Sequence, residues 1–218
     1  MRSKPVSRRE RPAKAPLSRA AIVRTALRIL NKEGLAKVTM RRIAAALDTG
    51  AASLYVYVRD TRDLHLQILD ALLADVLAPR PGRHWRRELA EVTERFLAVL
   101  MRHPEIARMT MATHSTGPNA MRLVDTVAGL LLRGGATIRG AAWGVDLVLA
   151  FVVATAVEHA GRTDEGHAEL EQLRQTVLAH ASTLPALVKL GGDLVSGEGL
   201  ERFRWGLEAI VSGILKQK

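Results

Sequence analysis

Two short apolar stripes separated by a turn-forming tetrapeptide constrain this chain more than any other feature. From Thr39 to Val58 the sequence reads TMRRIAAALDTGAASLYVYV. Met40, Ile43, Ala44 and Leu47 recur at the i, i+3, i+4, i+7 spacing of one helix face, and Leu54, Tyr55 and Val58 repeat a shorter stripe. Between them, LDTG supplies Asp48, Thr49 and Gly50, which favour turns because Asp bonds nearby backbone and Gly tolerates positive φ. A break of this length between short helices predicts a helix-turn-helix. Its second helix, about Ala51 to Val58, is the segment suited to a DNA major groove.

The charge distribution agrees with a polyanionic partner. The 218 residues carry a formal net charge of +10. Residues 1–63 hold 15 Lys or Arg against 5 Asp or Glu, whereas residues 64–218 hold 17 of each, so the whole excess sits in the first third. A basic block on a neutral remainder points to a nucleic-acid-binding module joined to a module with another task. A charge run alone is as often a solvated face, and its coincidence with the helix-turn-helix pattern is what favours binding. Aromatics make up 4% of the chain, too few for the stacking platforms that grip unpaired bases, so duplex DNA is the expected polyanion.

Other classes are narrowed by what the chain lacks. With no cysteine, disulfides, thiolate zinc sites and thiol nucleophiles are excluded. The 48% hydrophobic content is enough for a buried core. The first 17 residues, MRSKPVSRRERPAKAPL, show basic residues and prolines and no apolar signal-peptide core, so a cytoplasmic location is expected. No HExxH, GxSxG or glycine-rich phosphate loop occurs in a context that supports catalysis, and a non-enzyme is expected.

Three regions follow: a flexible basic arm at 1–17, a helix-turn-helix domain at 18–63, and a helical domain at 64–218, with a helix at 61–78 linking the last two. Ser18 is placed to cap a first helix that ends at Gly34, Thr39 to cap the second, and Asp60 with Asp63 to start the fourth. APRPG at 78–82 interrupts the pattern, and helical periodicity then predicts helices at 84–102, 104–113, 118–134, 138–161, 165–181 and 199–216. No segment alternates as a strand would, and the fold class is all-α.

Trp143 to Val157 is apolar nearly all round. Fifteen residues with Asp146 inside fall short of the roughly 20 needed to span a bilayer, so the segment reads as a buried helix and no membrane partner is expected. A helix apolar on every side needs cover on every side, which suggests one face on its own domain and another on a second copy of the chain. Leu147, Phe151 and Ala154 here, with Phe203, Leu207, Ile210 and Ile214 in the last helix, are the expected homodimer interface. The other reading is that both helices fill a monomeric core.

The stretch from Ser18 to Leu69, SRAAIVRTALRILNKEGLAKVTMRRIAAALDTGAASLYVYVRDTRDLHLQIL, resembles the tetracycline-repressor (TetR) family of transcription regulators. Gly34, Thr39, Ile43, Ala44, Leu54, Tyr55 and Val58 carry the likeness, and RHPEIARM at 102–109 and LPALVKLGGDL at 184–194 extend it. The resemblance implies base-edge contacts from Ala51, Ala52 and Ser53, with Arg41, Tyr55 and Tyr57 near bases or backbone. Asp48 stands where relatives often have glycine. Thr61 stands where many have a phosphate-binding lysine, leaving Arg59 or Arg62 to supply that cation. The resemblance further implies a homodimeric repressor on a palindromic operator, released by a small-molecule effector. The effector pocket would lie among the helices at 84–161, with Phe96, Met109, Met111, Val127, Leu131 and Trp143 as apolar lining and His114, Thr126 and Glu158 as polar groups, although such apolar residues at helical spacing are more often plain core. His114 and Glu158 resemble metal anchors of tetracycline-binding members. Two ligands are too few for a metal site, so no metal and no cofactor are assigned. Two rival readings remain: a nucleoid-type protein binding DNA without sequence preference, and a helical ligand-binding module that does not bind DNA.

Alanine cannot hydrogen-bond a base edge, so direct readout falls on Arg41, Ser53 and the tyrosines, with Ala51 and Ala52 free to approach a thymine methyl. Replacing Arg41 by Ala is expected to relax specificity at one base pair per half-site by about 1–3 kcal/mol. Competition binding with single-base operator variants checks this, and uniform weakening on every sequence would reduce Arg41 to a phosphate contact.

Overall fold

Ser18 starts the first helix as the sequence predicts. Its backbone is extended and its Oγ accepts the Ala21 N–H at 3.2 Å, which satisfies one of the free donors of α1, Arg19–Glu33. Ile22, Ala26, Ile29 and Leu30 form the buried face, and the helix stops at Gly34, whose φ of +82° suits glycine and whose N–H reaches the Leu30 carbonyl. After a 3₁₀ turn at Leu35–Lys37, Thr39 Oγ1 caps α2, Met40–Ala46, through the Arg42 N–H at 3.1 Å.

The exit from α2 is a Schellman turn. The Thr49 N–H bonds the Ala44 carbonyl at 3.0 Å, the Asp48 N–H bonds the Ala45 carbonyl at 3.2 Å, and Asp48 between them takes the left-handed conformation, φ +50°. This is the position where the resemblance implies a glycine. Asp is among the few L residues that tolerate it.

The third helix is shorter than the predicted 51–58. Helix α3 spans Ala51–Leu54, and the chain then tightens, with Tyr55 N–H to Ala52 O at 3.3 Å and Tyr57 N–H to Leu54 O at 2.9 Å. The Val58 N–H still reaches the Leu54 carbonyl at 3.0 Å, so the segment closes as one further irregular turn. Leu54 and Val58, one turn apart, are buried, whereas Tyr55 is 55% exposed and leaves the predicted apolar stripe, because adjacent helical residues do not share a face. Helix α4, Thr61–Val76, begins with a reciprocal cap: Asp60 Oδ1 accepts the Asp63 N–H and Asp63 Oδ2 accepts the Arg59 N–H, both at 2.8 Å.

This computed structural model describes residues 16–77, 84–113, 115–160, 172, 175–177, 179, 180 and 182–217. The chain divides into two units, Met1–Ile68 and Leu69–Lys218, and α4 begins in the first and ends in the second. The second unit contains α5 (Trp85–Arg102), α6 (Pro104–Met111), α7 (Pro118–Arg133), α8 (Ile138–Ala160), α9 (Pro185–Leu190), a 3₁₀ turn (Gly191–Val195) and α10 (Gly199–Lys216). Among the described residues every regular element is helical. The helix predicted over 165–181 falls mostly outside them. Helix α9 was not anticipated, although Pro185 at its first position is a start signal.

Helix α8 is the axis of this unit. It packs against α5, α6, α7 and α10, and Val148, Val152 and Ala156 are fully buried. Close approach is built in: a Cβ at Gly144 would stand 2.9 Å from Ile214 Cδ1, and one at Gly206 would stand 2.6 Å from Phe151 Cζ. The Phe151 and Phe203 rings stack with centroids 5.3 Å apart. Arg133–Glu88, Arg204–Glu94 and Arg86–Glu208 join α5 to α7 and α10 at the surface, where solvent screening leaves such pairs little net stabilisation. Ile138–His159, with mean hydropathy 1.9, meets the length and composition of a membrane span, which the fifteen-residue reading understated. Four helices pack on it here.

The left-handed Asp48 gives a direct check. Asp48→Val is expected to lower the stability of the head by about 1–3 kcal/mol, because a β-branched residue is strained at that φ, whereas Asp48→Asn should be close to neutral. Urea unfolding of the two variants followed by circular dichroism measures the difference.

Candidate nucleic-acid interface

The helix-turn-helix has one inner and one outer side. Leu54 and Val58, 0% and 1% exposed, pin the recognition segment to the core of the head. Ala52, Ser53, Tyr55 and Val56 face out, and Ala51 is half-buried at the start of α3. Val56, 80% exposed, is a member of this face that the sequence analysis missed. Its signal was available: if Leu54 and Val58 fix the inner side, the residues one and two after Leu54 must turn outward.

The cations are disposed unequally. Arg41 on α2 is exposed. Its neighbour Arg42 makes a fork to Glu33 of α1, at 2.7 and 3.3 Å, and is partly neutralised there. Arg59, its side chain 84% exposed, has Nε 3.9 Å from Asp63, while Thr61 and Arg62 sit exposed in the first turn of α4. At this helix N-terminus the dipole and the arginines favour an anion, while the capping Asp60 and Asp63 oppose it. Burial pushes the His65 imidazole on α4 below its usual value, so it is neutral at pH 7 and adds no charge to this surface.

Tyr57 is engaged within the head. Its hydroxyl donates to the Leu17 carbonyl at 2.8 Å, and its own carbonyl accepts from Arg19 Nε at 3.3 Å and, at 3.5 Å, from the Gln67 amide. One residue thus ties the chain entering α1, α1 itself and α4 to the end of the recognition segment.

The residues expected around an effector fall into different places. Phe96, Val127 and Leu131 are buried, Met109 and Thr126 are intermediate, and Met111, Trp143 and Glu158 are exposed; His114 lies outside the described residues. The Thr126 hydroxyl donates to the Arg122 carbonyl within its own helix, at 2.7 Å. Trp143, 71% exposed with Arg139 over its ring, is surface and not core. A surface cleft of about 290 Å³ lies instead between α5 and α10, floored by Leu89, Leu207 and Val211. Among the described residues no group of three or more His, Cys, Asp or Glu gathers as metal ligands.

The expected interface residues also separate. Phe203, Leu207 and Ile214 are buried by their own chain, because α10 turns that face onto α8 and α5. Phe151 and Ile210 are intermediate. The exposed apolar stripe runs through Trp143, Leu147, Ala150 and Ala154 on α8, with Trp205 of α10 76% exposed.

A helix-turn-helix with an outward uncharged reading face, flanked by arginines and followed by a separate helical unit, defines a DNA-binding regulator. Comparison with known proteins places it more closely. Residues 22–68 match the model for bacterial regulatory proteins of the tetR family, and residues 78–218 match the tetracyclin repressor-like C-terminal domain. The chain is 42% identical to SCO7704, a solved structure from Streptomyces coelicor, covering 94% of this chain and 98% of that one with a TM-score of 0.77. It is 35% identical to the Streptomyces coelicolor TetR family protein ActR, solved in complex with actinorhodin, over 92% and 96% of the two chains at a TM-score of 0.80. The HTH-type transcriptional repressor DrrR1 of Streptomyces coeruleorubidus is 29% identical over 94% of this chain and 80% of its own length. The chain belongs to the TetR family, and it is a DNA-binding transcription regulator.

Tyr57→Phe is expected to destabilise the head by about 0.5–1.5 kcal/mol, the worth of one hydrogen bond, and to weaken operator binding without altering its dependence on salt. Binding isotherms at several salt concentrations separate this lost positioning from a lost phosphate contact, which would reduce the slope.

Proposed function

We propose that this chain acts as a homodimeric repressor that holds a palindromic operator and is released by a small, largely apolar effector bound in the second unit. The observation that carries the reading is the outward face of the recognition segment, locked from behind by Leu54 and Val58. In this arrangement Ala51, Ala52, Ser53, Tyr55 and Val56 meet the major groove. The alanines and Val56 offer apolar contact to thymine methyl groups, and Ser53 and Tyr55 offer hydroxyls. Arg41 reaches a base from α2, whereas Arg59, Thr61 and Arg62 hold phosphate at the start of α4. Tyr57 positions the segment and does not read it.

The likeness to an actinorhodin-bound relative and to a named repressor supports the effector and the sign of regulation. The helical unit from α5 to α8 is the proposed effector-binding half. Release requires that the effector bind more tightly to the arrangement that fits the operator poorly. The domain roles follow: the arm at 1–17 adds phosphate contacts, 18–63 reads DNA, and 64–218 binds the effector and the second copy. The proposed dimer face is the exposed stripe of Trp143, Leu147, Ala150 and Ala154 with Trp205.

Selection of bound duplexes from a random pool is expected to yield a palindrome whose half-sites lie about one helical turn apart or a multiple of it. A specific-to-non-specific affinity ratio near one at physiological salt would replace this reading with a nucleoid-type role. Leu147→Glu is expected to give a folded monomer in sedimentation and to lose about tenfold or more in operator affinity, because each half-site then binds alone. A variant that stays dimeric would move the interface elsewhere.

A further inference from the structure

The N-terminus of α7 is capped from outside its own segment. Pro118 at its first position has no N–H, and the intrahelical ladder starts with Met121 N–H to Gly117 O at 2.9 Å, which leaves the Asn119 and Ala120 donors over. Helices usually satisfy such donors with a Ser, Thr, Asp or Asn at the cap position. Here that position is Gly117, which has no side chain.

Asp70 of α4 takes the role instead. Its Oδ1 accepts both N–H groups, each at 2.9 Å, from 49 and 50 residues away. The Asn119 amide doubles the grip, donating to the Asp70 carbonyl at 3.0 Å and to Oδ2 at 3.3 Å. Gly117 makes room for this: a Cβ there would stand 2.2 Å from Asp70 Oδ1. A local Ser or Asp at 117 would cap α7 alone, so the arrangement gives up a local cap for one that binds two helices together.

The helix that supplies the cap also starts beside the recognition segment. Gln67, three residues before Asp70 and on the same face of α4, has its amide 3.5 Å from the Tyr57 carbonyl. We propose that Asp70 is a coupling residue: the state of its cap on α7 and the affinity of the head for operator are thermodynamically linked through α4. This rests on the operator-binding reading above.

Linkage is reciprocal, so it is testable before any effector is known. The full-length protein, with and without a selected operator duplex, is followed by hydrogen-exchange mass spectrometry at the Asn119 and Ala120 amides. Operator is expected to change their exchange by about fivefold or more, which a purely structural cap would not do. Asp70→Ala and Gly117→Ala break the same cap by different means. Both, as dimers of wild-type helicity, should shift operator Kd by a comparable factor with an unchanged salt slope. The signs must match: if operator slows exchange the variants bind more weakly, and if it speeds exchange they bind more tightly. Asp75→Asn, exposed on the same helix, should alter neither. Exchange independent of operator, or a Kd within about twofold of wild type in both cap variants, overturns the proposal. A wild-type protein that retains no duplex overturns both readings, whereas operator binding with unlinked exchange overturns only this one.

Discussion

A 23-residue helix that is apolar on nearly every side has to be covered on nearly every side, and the second unit is organised by that need. Helices α5, α6, α7 and α10 lie against α8, with Gly144 and Gly206 allowing close approach where Leu131, Ile214 and Phe151 crowd. One strip is left open, through Trp143, Leu147, Ala150 and Ala154. The proposed dimer face rests on that exposure, since isolated apolar side chains are ordinary on a surface but an aligned stripe is not. The surface ion pairs from α5 to α7 and α10 lie in solvent and add little to this packing.

The head solves a smaller problem with local devices. Ser18 and Thr39 cap successive helices, Asp60 and Asp63 cap the fourth, and a Schellman turn at Asp48 sets the angle between α2 and α3. The segment that reads DNA has no charge between Ala51 and Val58, while the arginines stand around it. In the proposed reading, phosphate contacts fall to the arginines around the segment and base readout to its uncharged side chains together with Arg41, so affinity and specificity rest largely on different residues.

How legible this was from residues alone varied with the range of the interaction. Caps, turns and long amphipathic helices came out within a few residues, because they depend on neighbours within one turn. The short recognition segment did not. Leu54, Tyr55 and Val58 looked like one stripe, and only the packing of Leu54 and Val58 against the head turned Tyr55 and Val56 outward. In the second unit, Phe203, Leu207 and Ile214 had the spacing of a buried face without any sign of what buried them, and they proved to serve their own chain. Trp143 had the composition of pocket or core and is exposed. Periodicity reports that a face is covered, and identity of the cover is a long-range fact.

What the sequence determined by itself was the all-helical class, the helix-turn-helix, the confinement of excess positive charge to residues 1–63, and the family, since each is written in spacing or local composition. What tertiary structure decided was direction and partnership. It turned Val56 outward, bound Tyr57 to Leu17, and brought Asp70 to the start of α7 across 49 residues. No local pattern marks such contacts, because an aspartate in mid-helix and a glycine before a proline are each unremarked until folding places one carboxylate against two free N–H groups.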